Sequence, residues 1–488
     1  MISKAIFQNY PNSVAIETPS NTVSYEELFN QVESVYLWLV EHNVNVLVLE
    51  SDNVPEWVYI DLACQKAEVV FVPVPSFFSK SQIDSVIARV KPDVIIQPAD
   101  NSTLWESFIF PIYQFSTFKS ANRSNMPKGT SKVTFTSGST GEPKGVCLSI
   151  ENQFNVAKSL VNRIGINQPK HFCLLSFSTL LENIAGIYAP LMAGGTICIH
   201  TDSQRGFNGS MISSPEALLS AVSSVEPETI ILVPELLQFL LHASSNGWQQ
   251  PDSFKFMAVG GSRVAPSLLA NATTGGFPVF QGYGLSECAS VVALNNSEVV
   301  NDFSAGEALP HLSVEIIDGE LVVKGNTFLG YLGLPETWYQ QSVKTGDIAS
   351  ITNGRVEIKG RKSNLLINSF GRNISPEWVE SELLATNVFS QVVVFGDARP
   401  SLVALVSPIN GELTNEFLAT LINKANQSLP DYARIKHFHI LEQPLSQKNG
   451  QLTSNGRPKR NQILSNFSQE IAAFYRPSSE KEINHEII

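Results

Sequence analysis

Between Val133 and Val146 the chain gathers the groups that a polyphosphate needs. Gly138 and Gly141 free the backbone to turn its N–H groups outward, Thr136, Ser137, Ser139 and Thr140 line the turn with hydroxyls, and Lys144 adds an ammonium. The spacing is not the Walker pattern, because the two glycines are too close together and Gly145 follows Lys144 where Ser or Thr would be required. A Ser/Gly/Thr-rich linker is the alternative. A linker, however, requires neither the β-branched and aromatic run from Val133 to Thr136 in front nor Pro143-Lys144-Gly145 behind.

Two more strand-like runs stop at glycine. Phe256 to Val259 ends at Gly260-Gly261-Ser262, and Val279-Phe280 ends at Gln281-Gly282-Tyr283-Gly284-Leu285-Ser286-Glu287. In open α/β sheets, ligands bind at such carboxyl ends. Glycine lets a flat base approach the backbone and Tyr283 offers a ring to stack on it. Glu287 supplies a hard oxygen for a Mg²⁺ that bridges phosphates.

Taken in order, these blocks resemble the signatures of the acyl-adenylate-forming superfamily, which includes acyl-CoA synthetases, adenylation domains of nonribosomal peptide synthetases and firefly-type luciferases. The resemblance covers nearly the whole chain. It implies a two-step reaction: a carboxylate attacks the α-phosphate of Mg-ATP to give acyl-AMP and pyrophosphate, and a phosphopantetheine thiol, of CoA or of an acyl carrier protein, then displaces AMP. Lys144, Thr140 and Glu287 are the implied catalytic groups, with Mg²⁺ on Glu287 and Thr140. The implied nucleotide contacts are Thr136 to Gly141, Lys144, Gly260 to Ser262 and Gly282 to Ser286. Asp347, in Thr345-Gly346-Asp347, matches the carboxylate that accepts both ribose hydroxyls, and Arg361 matches an arginine that also contacts ribose.

On the acid side, the stretch from Phe177 to Gly186 matches the approach to the acyl pocket, with Thr179, Leu180, Gly186, Gly260 and Gly284 as the implied lining. Amino-acid-activating relatives place an Asp where this chain has Ser178, so no carboxylate meets a substrate ammonium. Thr179 stands where many relatives have a gating His. The stretch resembles fatty and long-chain acyl-CoA synthetases, and a fatty acid is the leading expectation. The alternatives are an adenylating enzyme for an amino or aryl acid, and a catalytically weakened nucleotide-binding homologue. Two departures keep the last open. The position of the lysine that bridges substrate carboxylate and α-phosphate holds Arg457, with Lys459 two residues on, and the hinge Arg361-Lys362-Ser363 has Ser363 where relatives have Asp or Lys.

Elements able to position these groups alternate along the chain. Ser24 caps a helix running toward His42, Val46 to Leu49 and Val69 to Val74 are apolar strands, a helix around Trp57 to Lys66 lies between them, and Ile150 to Ile164 follows the phosphate loop. Strand and helix in alternation imply an α/β domain with a mostly parallel sheet. Phe172 to Leu175 reads as a further strand. Beyond Ser313 short strands with Gly325, Gly330-Tyr331 and Gly333 suggest a β-rich subdomain, and a small α/β lid follows. The expected domains are residues 1–361, holding acid and ATP, and a mobile lid, 362–488. A formal charge of -12 argues against a broad nucleic-acid footprint. The cysteines, scattered and odd in number, read as reduced core residues; with neither a signal-peptide pattern nor an uninterrupted apolar span, they imply a cytoplasmic protein without a transmembrane helix. The histidines show no metal-binding spacing, although His437 and His439 could share a strand face.

Overall fold

The structure, a computed structural model, describes residues 6–7, 10–75, 78–98, 113–117, 125–136, 144–209, 211–296, 304–411, 413–453 and 456–475. Among these, the larger sheet has 13 strands. Its middle is parallel, with Val14–Glu17, Thr196–Cys198, Lys170–Phe172, Thr229–Leu232, Phe256–Val259 and Val279–Tyr283 side by side in that order. Helices cover both faces of these strands, which is why they read as short apolar runs. From Val279–Tyr283 the sheet continues antiparallel through Ala293–Leu294, Glu307–Ala308, Arg355–Arg361, Ser342–Thr352, Glu320–Gly325 and Leu312–Ile317. The β-rich stretch beyond Ser313 is thus hydrogen-bonded into the main sheet, except Gly330–Tyr331, which joins the second sheet.

A second sheet of seven strands runs Gly330–Tyr331, Lys144–Leu148, Lys132–Thr136, Val70–Val74, Val46–Glu50, Val94–Pro98 and Tyr113–Thr117. One core joins the facing sides of the two sheets through the helices Tyr25–Glu41, Pro55–Lys66, Ile150–Ile164 and the stretch Glu182–Met192. The helix Lys80–Val90 packs on the far face of the small sheet, and Pro215–Val225, Pro234–Ser245 and Pro266–Thr274 on the far face of the large one. The layers are therefore helix, sheet, helix, sheet, helix. Capping fixes where several helices begin: Ser24 with Glu27 and Ser149 with Asn152 form reciprocal capping boxes.

The C-terminal region builds its own core on the strands Phe389–Phe395, Leu402–Pro408 and Ile435–Ile440. Pro376–Leu384 and Asn415–Asn426 lie on one face, Arg460–Asn466 and Ser468–Ala473 on the other.

Several expectations shift. The strand expected over Phe172 to Leu175 occupies Lys170–Phe172, and the one ending at Phe280 runs on to Tyr283. The acid-side stretch contains a π-helical turn, Glu182–Tyr188, continued by Ala189–Met192. All five cysteines are buried and unpaired. His437 and His439 do share the strand Ile435–Ile440, where they lie against the rings of Phe474 and Phe467. No described helix is long and apolar enough to cross a membrane.

Candidate active site

Parallel strands of the large sheet deliver their carboxyl ends to one rim. Gly260, Gly261 and Ser262 follow Phe256–Val259, and Gly282-Tyr283 closes its neighbour Val279–Tyr283. Glycine is required here by close approach: a Cβ on Gly260 would stand 3.0 Å from the Gly282 carbonyl oxygen, and one on Gly284 would fall 1.5 Å from that of Ser290. These corners face a cleft of about 4040 Å³ that also takes in Lys144, Leu285, Ser286, Glu287, Asp347, Arg361, Ser363, Arg457 and Lys459.

On the ribose side of the resemblance, four residues meet. The Tyr283 hydroxyl donates to Asp347 Oδ2 at 2.6 Å, and Arg361 Nε lies 3.0 Å from Asp347 Oδ1. Asp347 and Arg361 are cross-strand partners in the pair Ser342–Thr352 and Arg355–Arg361, so sheet register brings them together. Burial raises the Asp347 carboxyl above the usual carboxylate range, against the opposing pull of Arg361 and the Tyr283 hydroxyl. Arg457 comes from the C-terminal region, and its Nη2 donates to the Gly261 carbonyl at 2.9 Å. Arg361, Asp347 and Glu235 are the charges around it. Lys459 does not join them; it is exposed, and its backbone N–H donates to the Gln451 carbonyl.

On the phosphate side, Ser137, Gly138, Ser139, Thr140 and Gly141 lie outside the described residues, as does the Thr136 side chain. Lys144, just past the loop, is described. Its Nζ lies 5.2 Å from the centre of the Tyr331 ring, and the Tyr331 hydroxyl donates to Glu287 Oε1 at 2.7 Å. The other Glu287 oxygen accepts no hydrogen bond among the described residues. One carboxylate oxygen open to a cleft beside an ammonium suits a Mg²⁺ completed by phosphate oxygens, so this donor set fits the ion.

The acid-side stretch is held from below by two buried networks. Lys132 is fully buried with Asp61 3.0 Å away; it also donates to Asn183 and, at 2.7 Å, to the Tyr188 hydroxyl. His171 joins Thr229 Oγ1 at 2.9 Å to Glu182 Oε1 at 3.0 Å, and Glu182 Oε2 accepts from the Leu175 backbone. His171, Cys173 and Glu182 lie close enough to hold a metal together, but the imidazole and both carboxylate oxygens are already engaged. Thr179 and Leu180 line the cleft. Gly186 does not. It is buried against the His171 network, where a Cβ would stand 2.2 Å from Glu182 Oε1. Ser178 is buried and shares a hydrogen bond with Ser176 at 2.8 Å, leaving no charge at that point.

Arg361, Lys362 and Ser363, the trio expected to form a hinge, lie at and just past the end of the strand Arg355–Arg361, which carries Arg361 into this site. Lys362 Nζ pairs with Glu320 at 3.0 Å, Arg361 Nη1 donates to the Thr345 carbonyl, and Ser363 sits in a single 3₁₀ turn, Lys362–Asn364. Sequence reasoning missed Tyr331, whose partner Glu287 lies 44 residues away, and Arg263, whose Nη1 donates to the Ile358 and Lys359 carbonyls. Only the Gly330-Tyr331 pair could have flagged the first, and nothing local flags the second.

The family model described as AMP-binding enzyme matches residues 4–332, and that described as AMP-binding enzyme C-terminal domain matches 363–479. Among relatives, a 2-succinylbenzoate–CoA ligase of Bacillus pumilus is 27% identical over 59% of this chain, which spans 61% of that protein's length. The long-chain-fatty-acid–CoA ligase FadD15 of Mycobacterium bovis is 23% identical, over 93% of this chain and 92% of its own. Among solved structures, the o-succinylbenzoate coenzyme A synthetase of Bacillus subtilis in complex with ATP and magnesium superposes with a TM-score of 0.74 at 23% identity, covering 95% of this chain and 98% of that one. With a family match over residues 4–332, more than half of its length, the chain belongs to the AMP-binding enzyme family.

Proposed function

We propose that this chain is an ATP-dependent acid–thiol ligase that converts a carboxylic acid to its acyl-adenylate and passes the acyl group to a phosphopantetheine thiol, that of CoA. The observation that carries this reading is the convergence of Lys144, Glu287, Asp347, Arg361 and Arg457 on one cleft, from two sheets and the C-terminal region. Asp347, an acceptor pinned between Tyr283 and Arg361, takes the ribose hydroxyls; Lys144 and Arg457 supply positive charge to the phosphates. Mg²⁺ on Glu287 supplies further neutralisation of phosphate charge when bound. In the first step the acid's carboxylate oxygen forms a bond to the α-phosphorus and the bond to pyrophosphate breaks. Positioning and charge are the protein's contribution there, as in phosphoryl transfer generally. In the second, the thiol loses its proton to solvent, its sulfur attacks the acyl carbon, and AMP departs. Residues 1–361 hold acid and nucleotide, and 362–488 form a lid that pivots at Arg361, Lys362 and Ser363 between the steps.

The acid is an aryl acid in preference to the fatty acid that the sequence alone suggested. Two things support this: the benzoate named for the Bacillus relatives, and the parallel stack of Phe256 on Phe280, 4.4 Å apart and tilted by 10°, with Phe256 and Ala258 on the cleft wall. A fatty acid is the second reading, favoured by the match to FadD15 along 93% of this chain. An amino acid is disfavoured by uncharged Ser178. ATP–pyrophosphate exchange over a panel of benzoates, fatty acids and amino acids tests the choice. Highest exchange with a benzoate is expected; highest exchange with an amino acid would refute the pocket argument, and none with any acid would refute ligase activity.

A further inference from the structure

Tyr331 lies between two parts of the cleft, the strand that begins with Lys144 and the turn that carries Glu287. It lies on the short strand Gly330–Tyr331, which pairs with Lys144–Leu148 in the small sheet, Tyr331 opposite Val146. Its ring thus sits beside the strand that begins with Lys144, whose Nζ is 5.2 Å from the ring centre. Its hydroxyl reaches the other way, to Glu287 in the 3₁₀ turn Ser286–Cys288 past the end of the large sheet. The Glu287 backbone is tied to the same segment, because its carbonyl accepts from Phe328 N at 2.7 Å, and the Phe328 ring meets the Tyr331 ring edge-on at 4.9 Å. The carboxylate is therefore fixed at one oxygen, and the other is left toward the cleft.

We infer that Tyr331 is a positioning residue that pre-orients Glu287 for Mg²⁺ while its ring holds the Lys144 ammonium, so that metal and lysine are set at a fixed separation for the same polyphosphate. The inference rests on the ATP-dependent reading above. A single carboxylate that is free to rotate loses side-chain entropy when it takes a metal; a hydroxyl on one of its oxygens removes that cost beforehand. Phenylalanine at position 331 would keep the ring over Lys144 and delete only the oxygen.

The test is calorimetric titration of ATP, without acid so that no turnover occurs, into wild type, Tyr331→Phe, Tyr331→Leu and Glu287→Gln, each with Mg²⁺ and with EDTA. In wild type, Mg²⁺ should tighten ATP binding. In Tyr331→Phe that enhancement should fall about tenfold, the scale of one hydrogen bond to a charged group, while binding in EDTA stays within about twofold of wild type. Tyr331→Leu should weaken binding in EDTA as well, by removing the surface under Lys144. A merely structural role would lower binding equally with and without metal. An unchanged Mg²⁺ enhancement in Tyr331→Phe, or an equal loss in both conditions, overturns the inference and leaves the ligase reading standing. Wild type that binds no ATP at all removes both.

Discussion

Arg457 allows the sharpest test of the catalytic assignment, because two cations lie close in sequence and only one reaches the cleft's charged groups. The Arg457 guanidinium is anchored by the 2.9 Å bond to the Gly261 carbonyl, on the same rim as Asp347 and Arg361. At about 4 Å from a developing phosphate charge, with an effective dielectric of about 20, a unit positive charge contributes about 4 kcal/mol. Arg457 is exposed and Arg361 already shares the field, so about half of that figure applies, about 2 kcal/mol, equivalent to roughly 30-fold in rate. Arg457→Ala should therefore slow single-turnover acyl-adenylate formation by about that factor. Lys459→Ala should stay within about twofold, because its side chain takes no part in the Asp347 cluster. Arg457→Lys should recover only part of the rate, since an ammonium cannot reproduce the planar fork. The assay is rapid-quench measurement of acyl-AMP from limiting ATP, alongside thioester formation from preformed acyl-AMP, which should be spared. If Arg457→Ala forms acyl-AMP at the wild-type rate, or if Lys459→Ala loses as much, the bridging role assigned to Arg457 is wrong.

Other residues yield direct expectations. Lys132→Met strands Asp61, 1% exposed, without its cation and should cost about 3–5 kcal/mol in urea unfolding; Lys132→Met with Asp61→Leu should recover most of it, and a single-variant loss below about 1 kcal/mol would refute the network's importance. Gly186→Ala drives a Cβ to 2.2 Å from Glu182 Oε1 and 2.8 Å from His171 Nε2, so it should destabilise by about 1–3 kcal/mol and lower Tm; an unchanged Tm would show that the turn can shift freely. His311, its ring nitrogen 2.7 Å from Ser159 Oγ, is pushed down to about 4 by burial. The unfolded chain binds this proton first, so the contribution of the neutral ring is complete above pH 6.5 and is lost as pH falls toward 4. Partial exposure keeps the slope below the single-proton limit of about 1.4 kcal/mol per pH unit, and His311→Gln should flatten this region of the stability profile; an identical profile in the variant would disprove it.

The chemistry was legible in the sequence wherever it depends on consecutive residues. Glycines at 260 and 284 mark backbone that must pass close to other backbone, and an apolar run before each group marks the strand that presents it, so these strand-end corners could be read directly. Ser24 announced its helix because a cap is a contact across three residues. What the sequence could not carry was distance through space. Asp347 meets Arg361 through strand register, Tyr331 meets Glu287 across two sheets, and Arg457 reaches Gly261 from 196 residues away. Gly186 looked like a pocket residue because small residues permit either a ligand or a neighbouring side chain, and only packing decided that its open side belongs to His171 and Glu182. The buried pair of Lys132 and Asp61 is invisible locally for the same reason: the free energy of a buried charge depends on partners that the fold alone brings within reach. Local chemistry thus set which groups this protein has to work with, and tertiary packing decided which of them face one another.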